Sequence, residues 1–322
     1  MKEEKNPEDR AIRSESACGQ ASAADASQQA ADAAPGGAGK PAGTARCFPN
    51  IADLLVFLGI FLVANLLGTA VALLTGCPWP DAAGLASGDE AVRAAAQAGV
   101  SHFNAVSYFV AMSLTLAGLL FYRARRRGPR TIGHFSRRGL NPMLLLWGVL
   151  FVVATSVVLE PLMSLLPDVP NVYGRGVWAV LTLVVMAPLF EEVIFRGVLL
   201  ESMRARYGVI AAWLVSSLLF ALVHVHPTVV VNAFFMGLIL GFIYIASGSL
   251  WASIFLHAVN NGVSYVALAA GLGSVMLIDL VGSRTLYVLI YIGAAAVFVI
   301  SGYMMLRTLR RMRTEEKNRA GA

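Results

Sequence analysis

Apolar runs of about twenty residues, separated by short polar or basic stretches, recur along most of this chain. An α-helix rises about 1.5 Å per residue, so roughly 20 mostly apolar residues cross the hydrocarbon core of a bilayer. Eight runs fit that length: residues 51–75, 102–122, 143–166, 177–201, 209–226, 228–246, 250–270 and 285–306. In lipid each segment must satisfy its own backbone hydrogen bonds, so these runs predict helices. The predicted fold class is all-α, a polytopic membrane helical bundle with about eight transmembrane helices. The connections between the last four runs are short or weakly polar. Gly237 and Gly241 stand four apart, a spacing that lets two helices approach closely.

The flanks read differently. Residues 1–47 are rich in Ala, Gly, Ser and Gln and lack large apolar side chains, which predicts a disordered cytoplasmic tail and no signal peptide. Residues 48–306 form the predicted transmembrane domain, and residues 307–322 a basic cytoplasmic tail. The basic residues alternate along the chain. They crowd the second connection (Arg123 to Arg138), the fourth (Arg204, Arg206) and the C-terminal tail, while the first, third and seventh connections are poor in them. Basic residues accumulate on the cytoplasmic side, so the pattern predicts a multi-pass protein of the cell membrane with both termini in the cytoplasm.

Composition agrees with lipid as the solvent. The chain has 322 residues, 57% of them hydrophobic and 14% charged, with a mean hydropathy of +0.68. Soluble domains carry about 25% charged residues. The net charge of +6 lies in the juxtamembrane runs, so it points to membrane lipid as a partner and not to nucleic acid. Cys18, Cys47 and Cys77 form no paired or metal-binding spacing.

Ionisable side chains at membrane depth cost at least about 2.5–3.5 kcal/mol and persist where they serve a function. The fourth run contains Glu191, Glu192 and Arg196. Glu192 and Arg196 are four apart and share a helix face, so the arginine can neutralise that carboxylate. Glu191 is turned about 100° away and is left to face a cavity. The fifth run ends with His224 and with His226, which directly precedes Pro227 and reads as an interfacial residue. The seventh run carries His257 and Asn261, again four apart on one face. Asp53, Asn65, Glu160 and Asn232 read as packing or interfacial groups.

Peptide hydrolysis needs an activated water, a stabilised oxyanion and a proton for the leaving amine. A carboxylate beside an imidazole can activate the water, and a second imidazole with a carboxamide can hold the oxyanion. Glu191, His224, His257 and Asn261 supply those groups, with no serine or cysteine in an evident nucleophile arrangement. Two histidines and a glutamate also compose a zinc set, here Glu191, His224 and His257, although no HExxH motif is present. The residues alone leave a metal-free route, which requires no cofactor, and a zinc route both open.

Glu191-Glu192-x-x-x-Arg196, Phe220-x-x-x-His224 and His257-x-x-x-Asn261 resemble, in order, the three signature motifs of the CAAX-protease and bacteriocin-processing family of intramembrane endopeptidases. The resemblance covers about residues 140–270. It implies an intramembrane endopeptidase acting on a peptide or membrane-protein substrate. Glu191 would activate water with help from His224, His257 and Asn261 would form the oxyanion site, and Glu192 and Arg196 would support the first motif. It implies too that a metal-free glutamate mechanism is favoured over zinc. Some family members act as bacteriocin self-immunity factors or as non-catalytic scaffolds, which is the alternative reading. A proton-coupled transporter would also use intramembrane Glu and His, but it would call for an inverted repeat, and none is evident.

One geometric difficulty stands against a shared site. With the helix limits given above, straight helices place Glu191 near the basic connection and His224 near the opposite face. The expectation is nevertheless one cavity, reached through a long, tilted fourth helix or an oblique fifth.

Overall fold

A computed structural model describes residues 48–126, 132–167, 173–272 and 275–320; the tail expected over 1–47 lies outside them. Among the described residues there is no strand. Seven long helices form the molecule: α1 (Ile51–Leu74), α2 (Glu90–Arg125), α3 (Pro142–Met163), α4 (Val177–Leu222), α5 (Pro227–Ser247), α6 (Leu250–Ala269) and α7 (Arg284–Ala320).

Local chemistry sets where most of them start. Asn50 and Asp53 form a reciprocal capping box at α1, with Asn50 accepting from the Asp53 N–H at 2.9 Å. Asp89 and Asn141 cap α2 and α3, and Pro142 and Pro227 occupy first-turn positions where the missing N–H is no loss. Gly248, at φ 67°, ends α5 in the left-handed conformation, and Ser249 caps α6 immediately after it.

Among the described residues six helices are long and apolar enough to cross a membrane: α1 to α5 and α7. Eight spans were predicted, and the difference has two causes. The predicted spans 177–201 and 209–226 are the two arms of α4, counted as one helix because only Gly208 (φ 78°, ψ 172°) interrupts it. The predicted seventh span is the 20-residue helix α6, whose apolar character is diluted by His257, Asn260 and Asn261. Two further limits differ from expectation. The fifth predicted span ends at Leu222, leaving His224 and His226 in the connection to α5. Over its described part the basic stretch beyond 306 is helical, α7 continuing through it to Ala320. At 1.5 Å per residue its 37 residues reach about 55 Å, well beyond a hydrocarbon core of about 30 Å. The projecting part stays on the protein: Leu309 and Met312 are buried, and Glu316 pairs with Arg138.

The helices pack in three groups. α1 lies along α2, α3 lies along α7, and α4, α5 and α6 fill the space between them. One apolar cluster, including Phe57, Leu119, Phe195 and Phe220, joins α4 to α1 and α2. A second, including Leu144, Leu240, Leu256 and Met305, joins α5 and α6 to α3 and α7. Large apolar side chains such as Leu55, Leu62, Leu66 and Ile292 point outward, as lipid-facing residues do.

Gly208 makes α4 a hairpin. Phe195 on the first arm meets Phe220 on the second, with ring centroids 5.3 Å apart. The apex is tethered to the start of α1, where the Tyr207 hydroxyl donates to the Pro49 carbonyl at 2.9 Å. The predicted glycine seam is present on α5. A Cβ on Gly237 would stand 3.1 Å from the Ser217 Cα, and one on Gly241 would stand 2.8 Å from Trp213, so α5 approaches the second arm of α4 to near backbone contact.

Candidate active site

The first arm of α4 is not a regular α-helix. Residues Leu181–Met186 and Val193–Leu200 are π-helical and flank the turn that carries Glu191 and Glu192. A wider turn leaves carbonyls outside the i→i−4 ladder, where other groups can use them. Asn261 donates to the Leu183 carbonyl at 2.9 Å, and the Gly133 N–H donates to the Gly197 carbonyl at 2.8 Å. The π stretches thus fasten the carboxylate-bearing turn to α6 and to the segment before α3.

Glu192 and Arg196 are both fully buried, at 0% exposure. The guanidinium donates to Glu192 Oε1 at 2.8 Å and to the Gly237 carbonyl at 3.2 Å, and it stacks 4.4 Å above the Phe220 ring. Glu192 Oε1 also lies 2.9 Å from His257 Nδ1. An ionised carboxylate only accepts, so Nδ1 carries the proton in this contact. The other ring nitrogen, Nε2, faces Glu191 Oε2 at 3.7 Å, beyond a direct hydrogen bond. His257 is therefore held between the two carboxylates, at 4% exposure against 9% for Glu191.

Glu191 is not left free, as the sequence suggested. The Tyr108 hydroxyl, from α2, donates to its Oε1 at 2.7 Å. Tyr173, just before α4, is close enough that burial, and then the charge of Glu191, push its phenol pKa up. Neither tyrosine was singled out from the sequence. Tyr108 is 83 residues from its partner, and a neutral hydroxyl in an apolar run has no cost that draws attention.

His224 reaches the cluster through Phe220. Its Nδ1 lies 2.8 Å from the Phe220 carbonyl, an acceptor, so Nδ1 holds the proton in this contact. The Phe220 ring packs edge-on against both imidazoles, with centroids 5.0 Å from His224 and 5.7 Å from His257. The His224 N–H donates to the Ala221 carbonyl, and the His226 N–H donates to the His224 carbonyl at 2.7 Å. That turn passes through Val225 at φ 64°, a conformation a β-branched residue rarely adopts.

The hairpin evens out the expected depths. Glu191 lies 17 residues before Gly208 and His224 lies 16 after it, so both stand about 25 Å from the apex. Asn261, one turn beyond His257, has its carboxamide fixed by the Leu183 carbonyl and by Asn260, which donates to its Oδ1 at 3.2 Å. One of its two N–H bonds remains for another acceptor. The other polar residues have partners outside this cluster. Asp53 pairs with Arg126 at 2.9 Å and accepts from Tyr122 at 2.7 Å, Asn65 donates to its own helix, and Glu160 accepts from the Leu277 N–H.

The donor set does not fit zinc as it stands. Among the described residues no three His, Cys, Asp or Glu side chains converge at metal-ligating geometry. Both nitrogens of His257 address carboxylates, and one oxygen of Glu191 accepts from Tyr108.

The fold and the cluster define a multi-pass membrane protein with a buried set of two carboxylates, an arginine and histidines. Residues 174–263 match the family model described as type II CAAX prenyl endopeptidase Rce1-like. This segment is similar to that family, whose description names a type II CAAX prenyl endopeptidase. It includes Glu191, Glu192, Arg196, His224, His257 and Asn261 and excludes Tyr108 and Tyr173. No curated protein and no solved structure matches the chain.

Proposed function

We propose that the protein hydrolyses a peptide bond of a membrane-associated substrate with a water activated by Glu191 and His224, without a metal. The observation that carries this reading is the pairing within the buried cluster. Arg196 is committed to Glu192 at 2.8 Å, which leaves Glu191 as the carboxylate available for proton transfer.

The steps follow from the groups present. Water bound at Glu191 Oε2 is oriented by Nε2 of His224 and gives its proton to Glu191. Its oxygen bonds to the substrate carbonyl carbon. The negative charge that develops on the carbonyl oxygen is met by the Nε2–H of His257 and the free N–H of Asn261. The protonated Glu191 then gives its proton to the amide nitrogen as the C–N bond breaks, which releases an amine and a carboxylic acid. Glu192 and Arg196 do not touch substrate in this scheme. They hold His257 and the π-helical turn in place.

We further propose the orientation drawn from the basic residues, with both ends of the chain in the cytoplasm. The family description names prenylated CAAX tails, and we extend the substrate class only to C-terminal or membrane-associated peptides. The test is cleavage by purified, detergent-solubilised protein of a peptide set containing farnesylated and plain tails, with and without a chelator. Cleavage that survives the chelator is expected. Loss with chelator and recovery with zinc would replace the metal-free scheme with a metal enzyme. A folded protein that cleaves no peptide would favour the scaffold or immunity role.

A further inference from the structure

We propose that Tyr108 is a positioning residue for the reaction, holding Oε1 of Glu191 so that Oε2 is the oxygen presented to water. The inference rests on the reading of Glu191 as the base. Its geometric ground is the 2.7 Å hydrogen bond from the phenol to Oε1, while Oε2 stands 3.7 Å from His257 Nε2 with no direct hydrogen bond from it.

Three features separate this contact from ordinary packing. First, the phenol comes from α2, which packs on the first arm of α4 but lies outside the matched segment, so α2 completes a site that the domain alone leaves open. Second, the groups facing Glu191 are Tyr108 from α2, Tyr173 from the segment before α4, Glu192 and Arg196 from α4, and His257 from α6. A phenol is a neutral donor, so it fixes the carboxylate without adding a charge to the buried cluster. Third, Glu191 has no direct hydrogen bond from Arg196 or His257: Arg196 bonds Glu192, and His257 Nε2 stands at 3.7 Å, an ion-pair distance only. Without the phenol, its side chain would be free to rotate about its outer bonds. Misplacing a reacting group by about 1 Å can cost a hundredfold in rate.

The experiment compares wild type with Tyr108→Phe, which removes only the hydroxyl, on a cleavable tail peptide. The expected result is a kcat lower by about 10–100-fold, with KM within about twofold of wild type. An unchanged kcat, or a raised KM at unchanged kcat, would overturn the proposal, the latter by assigning Tyr108 to substrate binding. A second measurement does not depend on cleavage. Thermal midpoints are recorded for wild type, Tyr108→Phe, Glu191→Ala and the double variant. Tyr108→Phe should lower the midpoint by about 2 °C or more when Glu191 is present and leave it unchanged when Glu191 is absent. Equal shifts in both backgrounds would show that the phenol does not hold the carboxylate. A wild type that cleaves nothing would count against the proteolytic reading, while the midpoints would still decide whether Tyr108 grips Glu191.

Discussion

Phe195 and Phe220 face each other across α4, ring centroids 5.3 Å apart and nearly perpendicular at 79°, with Gly208 midway between them in the chain. This pair fixes the register of the two arms, and the same Phe220 ring packs against His224 and His257. Gly208 lies at φ 78°, ψ 172°, a region open essentially to glycine alone, while a Cβ there would meet no atom within 4 Å. Gly208→Ala should therefore cost about 1–3 kcal/mol through backbone strain and nothing through a clash. Thermal unfolding in detergent checks the value. Turnover should fall in parallel as the arms lose register.

Glu192 and Arg196 form a fully buried ion pair. Removing one member leaves the other charge unpaired in a low-dielectric interior, at a cost of about 3–5 kcal/mol. Glu192→Ala should accordingly reduce the yield of folded protein sharply. Arg196→Lys should not rescue the pair fully, because lysine lacks the planar fork that spans Glu192 and the Gly237 carbonyl and stacks on Phe220. Fluorescence-detected size-exclusion profiles of the variants measure this.

Val225 separates stability from activity. Its left-handed backbone shapes the turn that aims His224. Val225→Gly should raise stability by about 1 kcal/mol by relieving strain. The same change should lower kcat, because a glycine turn holds the imidazole less firmly. A variant that is both more stable and equally active would show that the strained turn has no role in positioning His224.

Much of this was legible in the sequence because lipid imposes strict rules. Long apolar runs gave the helical class, and the cost of charge in a membrane drew attention to Glu191, Glu192, Arg196, His224 and His257. The four-residue spacing of Glu192 and Arg196 foretold a contact seen at 2.8 Å, and the Gly237–Gly241 spacing foretold the close approach of α5. What stayed hidden was non-local or depended on backbone detail. The basic stretch Arg204–Arg206 reads as a connection, but the first arm stays helical through it to Gly208, which evens out the apparently unequal depths of Glu191 and His224. The π-helical turns that expose the Leu183 and Gly197 carbonyls leave no mark in hydropathy. Tyr108 could not be paired with Glu191 by any spacing rule, since its contact depends on how α2 packs against α4.

The most direct measurement is cleavage of a tail peptide by purified wild type and by Glu191→Gln, which keeps the shape of the side chain and an acceptor for Tyr108 but removes the base. The expected result is loss of cleavage by at least about a hundredfold in a variant that is produced and unfolds like wild type. A Glu191→Gln protein that cleaves at the wild-type rate would contradict the assignment of Glu191 as the group that activates water.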